Sequence, residues 1–246
     1  MPDAETNRPY FTHDTTVLEY ARAAVAVGLW ESERVLLERF VPKDARVLEL
    51  GCGAGRVAVG MARAGWREIL ATDFAAPMVA AAEGVVAATG VGDRVRCATA
   101  DATALPYGDG LFDAAVFAFN GLLMIPGPGR REQALREIAR VLRPGGVFLF
   151  SGHDREATRT DHWRTERARR EAGIVDPDHD RFGDTLYGTP QGKVFIHSAV
   201  TAELDTALAA AGFEPVFSAM RSTIADEPAR VRAFSDETRL YVAAKR

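Results

Sequence analysis

Residues 47–55 read Val-Leu-Glu-Leu-Gly-Cys-Gly-Ala-Gly, and this stretch decides the fold. Its first half is an apolar run interrupted by Glu49, which predicts a strand, and a helical pattern opens at Arg56. The glycines that follow let the backbone turn sharply and let a ligand approach main-chain N–H groups without a side chain in the way. The sequence therefore predicts that a nucleotide-like ligand binds over this loop and the N-terminus of the next helix.

The spacing of Gly51, Gly53 and Gly55 indicates which kind of nucleotide binds there. A dinucleotide fingerprint reads G-x-G-x-x-G, whereas here the third glycine comes one residue earlier. Together with Glu49, this pattern resembles motif I of the class I S-adenosylmethionine (SAM) methyltransferases. SAM has no pyrophosphate, and an acid near the loop suits its cationic methionine ammonium. A nicotinamide dehydrogenase would need the longer glycine spacing and a second catalytic domain, and neither is visible in the sequence.

The composition excludes several classes of protein. The chain has 246 residues, which is enough for one sizeable α/β domain with additions. Its formal net charge of −4 disfavours a dedicated nucleic-acid binder. The two cysteines, Cys52 and Cys97, fit no metal spacing and no disulfide scaffold. Residues 1–7 are polar and the apolar runs are too short to span a bilayer, so we expect a cytoplasmic protein with no membrane partner.

Strand and helix patterns alternate along residues 46–150, which predicts βαβ units and a parallel sheet. The resulting expectation is an α/β, Rossmann-like, doubly wound, seven-stranded and mostly parallel sheet with N-terminal helices and an insertion after strand five. The strands are expected at 47–50, 68–72, 95–99, 113–119, 147–150, 213–220 and 240–244, with a further strand pattern at 194–197. The helices between them are expected near 56–64, 77–90, 131–142 and 201–211.

The same patterns divide the chain into four parts. Residues 1–45 are expected to form a helical arm that acts as a lid, and residues 46–152 the SAM-binding core. Residues 153–193 are charged and form an insertion over the substrate, with one helix near 158–172, and residues 194–246 complete the core sheet. Within the arm we expect two amphipathic helices between residues 10 and 40. Thr16 and Glu19 have the spacing of a capping box.

Two carboxylates follow strands at the edge where ligands bind in open α/β sheets. Asp73 ends strand two, where it can accept both ribose hydroxyls of an adenosine; the alternative is that it caps the next helix. Asp101 and Ala102 follow strand three and suit the adenine amino group and ring nitrogen, the alternative being a turn. The ribose interpretation of Asp73 applies to NAD and SAM equally.

Further blocks extend the resemblance. Residues 101–113 and 140–148 are similar to the later motifs of the UbiE-like methyltransferases, small-molecule enzymes, and the likeness is strong over 45–150 and loose over 194–246. Together with motif I, these blocks in the right order are more specific than any one of them. Cys52 lies inside the loop, where packing is its alternative role. The resemblance implies SAM as cofactor, S-adenosylhomocysteine as product, and cofactor contacts at Glu49, Gly51, Cys52, Gly53, Gly55, Arg56, Asp73, Phe74, Met78, Asp101, Ala102 and Asn120.

Two polar residues follow strands four and five. Asn120 stands at the position that in the family faces the sulfonium end of SAM; the alternative is a turn residue before Gly121. His153 can take a proton from a substrate hydroxyl or amine, the alternative being a loop histidine. The residues after strand four do not read Asn-Pro-Pro-Tyr, the sequence typical of amino methylation of bases, and no Pro-Cys pair supplies a nucleophile for cytosine methylation.

The sequence therefore predicts a SAM-dependent methyltransferase for a small-molecule acceptor, without a nucleic-acid partner, without a metal, and a monomer or homodimer. A nucleic-acid or protein methyltransferase and a non-catalytic SAM-binding module remain as alternatives. The sequence does not decide whether oxygen, nitrogen or carbon is methylated.

Overall fold

The computed structural model describes residues 2–175 and 181–246. Its main sheet has seven strands in the order β3-β2-β1-β4-β5-β9-β8, and a separate two-stranded sheet consists of β6 and β7. The first five strands are parallel, and β9 is antiparallel to both of its neighbours. The strands are β1 (Arg46–Leu50), β2 (Glu68–Asp73), β3 (Val95–Thr99), β4 (Phe112–Phe117), β5 (Leu142–Gly152), β6 (Asp184–Thr189), β7 (Gly192–His197), β8 (Phe213–Met220) and β9 (Arg239–Lys245).

Helices cover both faces of the main sheet, which confirms the predicted doubly wound architecture. The strand order reverses between β1 and β4, and ligands of such folds bind at that point. None of the helices in the described part of the chain is long and apolar enough to cross a membrane. The helices are α1 (Arg8–Thr12), α2 (Asp14–Ala26), α3 (Glu31–Phe40), α4 (Arg56–Arg63), α5 (Ala76–Thr89), α6 (Pro128–Val141), α7 (Thr160–Glu171), α8 (Thr201–Ala210), α9 (Arg221–Ile224) and α10 (Ala229–Phe234), with a 3₁₀ helix at Gly121–Met124.

Successive residues of β1 serve two hydrophobic cores, because side chains along a strand alternate between its faces. Val47 belongs to the core under α3, α4 and α5, and Leu48 belongs to the core under α6 and α8. Both are fully buried. A strand buried on both faces reads as an almost continuous apolar run, which is why β1 is recognisable in the sequence.

The N-terminal arm differs from the prediction in two ways. It contains three helices instead of two, and the expected capping box of Thr16 and Glu19 is wrong. The second helix begins at Asp14, so Thr16 lies inside it, where its hydroxyl is buried without a hydrogen-bond partner in the described structure. His13 caps this helix, and its Nδ1 accepts a hydrogen bond from the Thr15 amide at 3.2 Å.

The strand expected at 194–197 is present but does not join the main sheet. As β7 it pairs antiparallel with β6 through the two-residue connection 190–191. The free edge of β5 is taken instead by β9, which arrives from the end of the chain. The insertion therefore consists of α7 and a β6–β7 hairpin; its residues 176–180 lie outside the described structure.

The bounds of strands four and five also differ from the prediction. The sequence Pro-Gly-Gly at 144–146, expected as a turn before strand five, lies inside β5, where the register against β4 shifts. Strand four ends at Phe117, before the expected residue 119. The chain leaves the sheet there because Phe119 and Asn120 adopt positive φ angles of 52° and 64°.

Candidate active site

A cavity of about 330 Å³ opens at the ends of β1 and β4, where the strand order reverses. This volume lies at the lower end of the range for small-ligand pockets, roughly 300–1,000 Å³. One side is formed by the glycine loop and the ends of β2 and β3. The other side is formed by the N-terminal arm, the turn after β4 and α10. Residues from distant parts of the sequence therefore meet in one space.

The glycine loop needs its glycines for conformation and for space. Gly51, Gly53 and Gly55 have φ angles of 56°, 53° and 84°. A Cβ on Gly51 would lie 2.7 Å from the ring of Phe117, and one on Gly53 would lie 2.8 Å from the ring of Tyr20. Gly51, Cys52 and Gly53 line the cavity, whereas Gly55 is not among the lining residues and instead precedes α4 in a left-handed conformation.

Asp73 connects the end of β2 to the glycine loop. Its Oδ2 accepts a hydrogen bond from the Gly53 amide and its Oδ1 accepts one from the Ala75 amide, both at 2.9 Å. Burial raises the pKa of this carboxyl group, and the two main-chain bonds oppose that rise. Each oxygen keeps a lone pair for a ligand hydroxyl. The alternative that Asp73 caps the next helix is wrong, because the N-cap of α5 is Ala75 and no side chain caps that helix. The ribose contact of Asp73 stays a prediction.

Glu49 is a buried acid in the cavity wall. Its Oε2 accepts a hydrogen bond from the Ala58 amide, in the first turn of α4, at 2.9 Å. Burial raises the pKa of Glu49 to about 8, against the opposing effects of the Arg56 guanidinium and the Ala58 amide. A cationic ligand beside this carboxyl group would favour its ionised form.

Arg56 also lines the cavity, but its charge is already matched. Its guanidinium binds both carboxylate oxygens of Glu33 at 2.7 and 2.6 Å, donates to the Gly28 carbonyl at 2.9 Å, and lies over the Trp30 ring. The Arg56 and Glu33 side chains are both buried. Arg56 therefore fastens α3 of the arm to the glycine loop and adds no net positive charge to the cavity.

The expected adenine side of the cavity is more exposed. Asp101 and Ala102 both line it, and Asp101 Oδ1 accepts hydrogen bonds from the Thr103 amide and hydroxyl, each at 2.8 Å. The Phe74 ring also lines the cavity, and the Arg8 guanidinium of the arm lies 5.2 Å from its centroid. Met78 is fully buried and is not among the residues that line the cavity. The structure places it behind the lining residues.

Three further rings line the cavity, Tyr20, Phe119 and Phe234, which we call the aromatic wall. The wall adjoins the glycine loop, because the Tyr20 ring packs against Gly53. Phe119 stacks on Phe234 with centroids 5.2 Å apart and meets the edge of Tyr20 at 6.4 Å. Burial raises the pKa of Tyr20, so its hydroxyl stays protonated. The sequence interpretation missed Tyr20 and Phe234 as site residues. Tyr20 lies in the arm that it predicted as a lid, whereas no pattern in residues 221–238 marked Phe234.

Asn120 and His153 lie behind this wall. Asn120 Nδ2 is 3.4 Å from His153 Nε2, and neither residue is among those that line the cavity. Burial lowers the pKa of His153, against the opposing hydrogen bond with the main chain of Glu237. That His153 takes a proton from a substrate and that Asn120 contacts the cofactor both stay predictions. In this structure the two side chains contact each other, and neither is among the lining residues.

Comparison with known proteins agrees with the motifs. Residues 47–146 match a family model described as a methyltransferase domain. The chain is 38% identical over 117 residues to the methyltransferase GfsG of Streptomyces halstedii, covering 47% of this chain and 41% of that protein. It is 42% identical over 105 residues to the demethylmenaquinone methyltransferase of Thermus thermophilus, covering 42% and 45%. The matched stretch thus spans less than half the length of either relative.

Solved structures extend the likeness to the whole fold. A SAM-dependent methyltransferase of Methanosarcina mazei superposes with a TM-score of 0.69 at 20% identity, covering 89% of this chain and 98% of the other. The [4+2]-cyclase SpnF superposes with a TM-score of 0.69 at 24% identity, covering 99% and 97%. These similarities establish the fold, and the second shows that the fold is shared by a protein named for a different reaction.

Proposed function

We propose that this chain, whose residues 47–146 match a methyltransferase domain, is a class I SAM-dependent enzyme that transfers the methyl group of SAM to a small-molecule acceptor. One observation carries the proposal. The glycine loop and its carboxylates share a single cavity with the aromatic wall, so a cofactor and an apolar acceptor have adjoining places. Methyl transfer needs this adjacency, since the reacting atoms must be held in line and close together.

The residues of the glycine-loop side fit SAM. At Gly51 and Gly53 no side chain covers the main chain, so a ligand can approach it. The Asp73 carboxylate has lone pairs free for ribose hydroxyls. Glu49 and Asp101 add two further acids to the same side of the cavity. The cationic methionine end of SAM would be attracted by these acids where they are ionised. Because Arg8 and Arg130 also line the cavity, the preference for SAM over NAD rests on the glycine spacing and on Glu49.

When bound, SAM supplies an already activated methyl group on its sulfonium. The protein then has to hold, align and dehydrate the two reactants. Asp73 and Asp101 hold the adenosine, and Glu49 faces the cationic end. The aromatic wall excludes water and orients the acceptor, and the protonated Tyr20 hydroxyl is available to donate a hydrogen bond to it.

The cavity lining within the described part of the chain includes no histidine and no lysine. Its conventional bases are carboxyl groups, among them Glu49, whose raised pKa of about 8 is in the range suited to a general base. An acceptor that is already nucleophilic at neutral pH, such as an enolate, a phenolate or an uncharged amine, needs no such base.

The names of relatives support a small molecule as acceptor. One of them is named a demethylmenaquinone methyltransferase. The aromatic wall of the present chain and its cavity volume suit a compact apolar acceptor better than a nucleic acid or a protein segment. The monomeric or dimeric state and the cytoplasmic location stay predictions.

Calorimetry and a turnover assay test the proposal together. Titration should show that S-adenosylhomocysteine binds in the micromolar range, about −8 kcal/mol, and that NAD does not. Incubation with SAM and a panel of apolar phenols, enols and amines should release S-adenosylhomocysteine. Binding of NAD without SAM would overturn the cofactor assignment. Binding of SAM with no turnover on any member of the panel would favour a SAM-binding module or another reaction on the same fold.

A further inference from the structure

The turn after β4 has an unusual backbone. Phe119 and Asn120 are consecutive residues other than glycine, and both have φ angles in the left-handed region, 52° and 64°. Side chains with a Cβ are strained there, so the surrounding structure has to hold such a turn in place. Strain of this kind concentrates at functional sites, and here it lies directly at the cavity.

This turn determines where the Phe119 ring lies. The ring stacks on Phe234 at 5.2 Å, meets the edge of Trp30 at 5.9 Å and meets the edge of Tyr20 at 6.4 Å. It is therefore the central member of the aromatic wall. A relaxed turn would move this ring away from its three partners.

The end of β5 holds the turn from behind. The Phe119 amide donates a hydrogen bond to the Ser151 hydroxyl at 2.8 Å, and Ser151 is only 1% exposed. Two residues further on, His153 Nε2 lies 3.4 Å from Asn120 Nδ2. An amide nitrogen only donates, so the imidazole nitrogen is the acceptor in this pair.

We propose that Ser151 and His153 are positioning residues for the acceptor: they hold the Phe119–Asn120 turn in its left-handed form and thereby keep the Phe119 ring in the aromatic wall. This inference rests on the proposed function, since it assigns the wall to the acceptor. His153 touches neither reactant and acts through the Asn120 side chain.

The alternative role of His153 is that of a general base. Three substitutions separate the two roles. His153→Ala removes the acceptor for Asn120, whereas His153→Gln offers an amide oxygen near the position of Nε2 and cannot act as a base. Asn120→Gly removes the partner of His153 and also relieves the strain, because glycine adopts the left-handed region readily.

Kinetics with an acceptor found by the turnover assay give the first readout. We expect His153→Ala to raise the KM for the acceptor about tenfold with little change in kcat, and His153→Gln to restore most of the loss. In an Asn120→Gly background, His153→Ala should have no further effect. A large fall in kcat that glutamine does not restore, and that persists beside Asn120→Gly, would assign His153 as a base and overturn the proposal.

Amide hydrogen exchange of the protein without ligands gives a readout independent of activity. Exchange over residues 117–124 should speed up in His153→Ala and in Ser151→Ala, and should stay near wild type in His153→Gln. Ser218→Ala on the outer strand β8 is the matched control. Unchanged exchange in both alanine variants would overturn the proposal, whatever the activity.

Calorimetry with S-adenosylhomocysteine distinguishes the two levels of inference. The turn variants should bind it within about twofold of wild type, since none of the substituted residues lines the cavity. If wild type itself does not bind it, the proposed function fails, while the exchange experiment still decides whether Ser151 and His153 hold the turn. If wild type binds S-adenosylhomocysteine and the turn variants do not, Ser151 and His153 hold the cofactor site in place. The proposal that they position the acceptor would then be wrong.

Discussion

The carboxylate of Asp73 accepts a hydrogen bond from the amide of Gly53, 2.9 Å away. This bond joins the end of β2 to the loop that follows β1, and the second oxygen of the same carboxylate binds the Ala75 amide at 2.9 Å. The side chain expected to hold a ribose therefore also fixes the shape of the glycine loop. We therefore predict that ligand affinity and loop geometry depend on one group.

Replacement of Asp73 should show both roles. We expect Asp73→Ala to weaken binding of S-adenosylhomocysteine by about tenfold or more, because the ribose loses its acceptors. The free energy of unfolding should fall by roughly 1–3 kcal/mol, because two buried amides lose their partners. Calorimetry and urea unfolding measure the two effects, with Asp93→Ala at an exposed position as control. A loss of stability with unchanged affinity would mean that Asp73 only shapes the loop.

The ionisation of Glu49 should make stability depend on pH. Its pKa is raised from an ordinary value of 4.5 to about 8, so the ionised form is disfavoured in the folded protein. The contribution of this group to stability is full below pH 4.5, falls as the pH rises, and is lost above about 8. Glu49→Gln keeps an oxygen for the Ala58 amide and removes the charge. We expect this variant to be more stable than wild type at pH 9 and similar at pH 4.5.

The same ionisation should couple to the cofactor. A cation beside Glu49 favours the carboxylate, so the affinity for SAM should rise with pH towards about 8, with release of a proton on binding. Calorimetry in buffers of different ionisation enthalpy measures that proton. Glu68→Gln, at an exposed carboxyl group, is the control and should behave as wild type. Proton release that persists unchanged in Glu49→Gln would place the titrating group elsewhere.

Removal of only one member of the buried Arg56–Glu33 ion pair should destabilise the fold strongly. Both side chains are almost fully buried, so Arg56→Met leaves an uncompensated carboxylate and should destabilise the fold by roughly 3–5 kcal/mol. The double variant Glu33→Leu with Arg56→Met should recover part of this loss. Arg34→Met breaks an exposed pair and should change stability by about 0–1 kcal/mol. If Arg56→Met unfolds no more readily than Arg34→Met, the arm does not depend on this pair.

Asn7 should fasten the arm over the cavity. Its Nδ2 donates to the Met124 carbonyl at 2.7 Å and to the Phe195 carbonyl at 3.2 Å, and its Oδ1 accepts from the Phe195 amide at 2.6 Å. We expect hydrogen exchange over residues 8–30 to slow when S-adenosylhomocysteine binds, since closing lids exclude water. Asn7→Ala should speed exchange in α1 and β7, whereas Thr15→Ala, exposed on α2, should not. Equal protection of wild type with and without ligand would identify the arm as fixed scaffold.

Much of the core could be predicted from the sequence because its signals are local. The strands β1, β2 and β3 begin and end within one residue of the expected positions, since each is a short apolar run bounded by turn residues. Asp73 and Asp101 were found for the same reason: a polar residue directly after a parallel strand lies at the ligand edge of the sheet. Both line the cavity.

The errors arose where long-range contacts decide. The pairing of β7 with β6, and not with the main sheet, depends on β9 occupying the edge of β5, and β9 comes almost a hundred residues later. Likewise, the position of His153 behind the turn depends on how β4 and β5 pair. No pattern within a single segment carries this information.

The sequence by itself determined the doubly wound core, the glycine loop and the acids around it, because strand periodicity, glycine spacing and strand ends are properties of neighbouring residues. The tertiary structure alone decided the aromatic wall. Tyr20, Phe119 and Phe234 come from three segments separated by about a hundred residues each, and only packing brings their rings into one wall. Packing also decides which polar groups are buried, and burial is what shifts the pKa of Glu49 and places His153 behind the cavity.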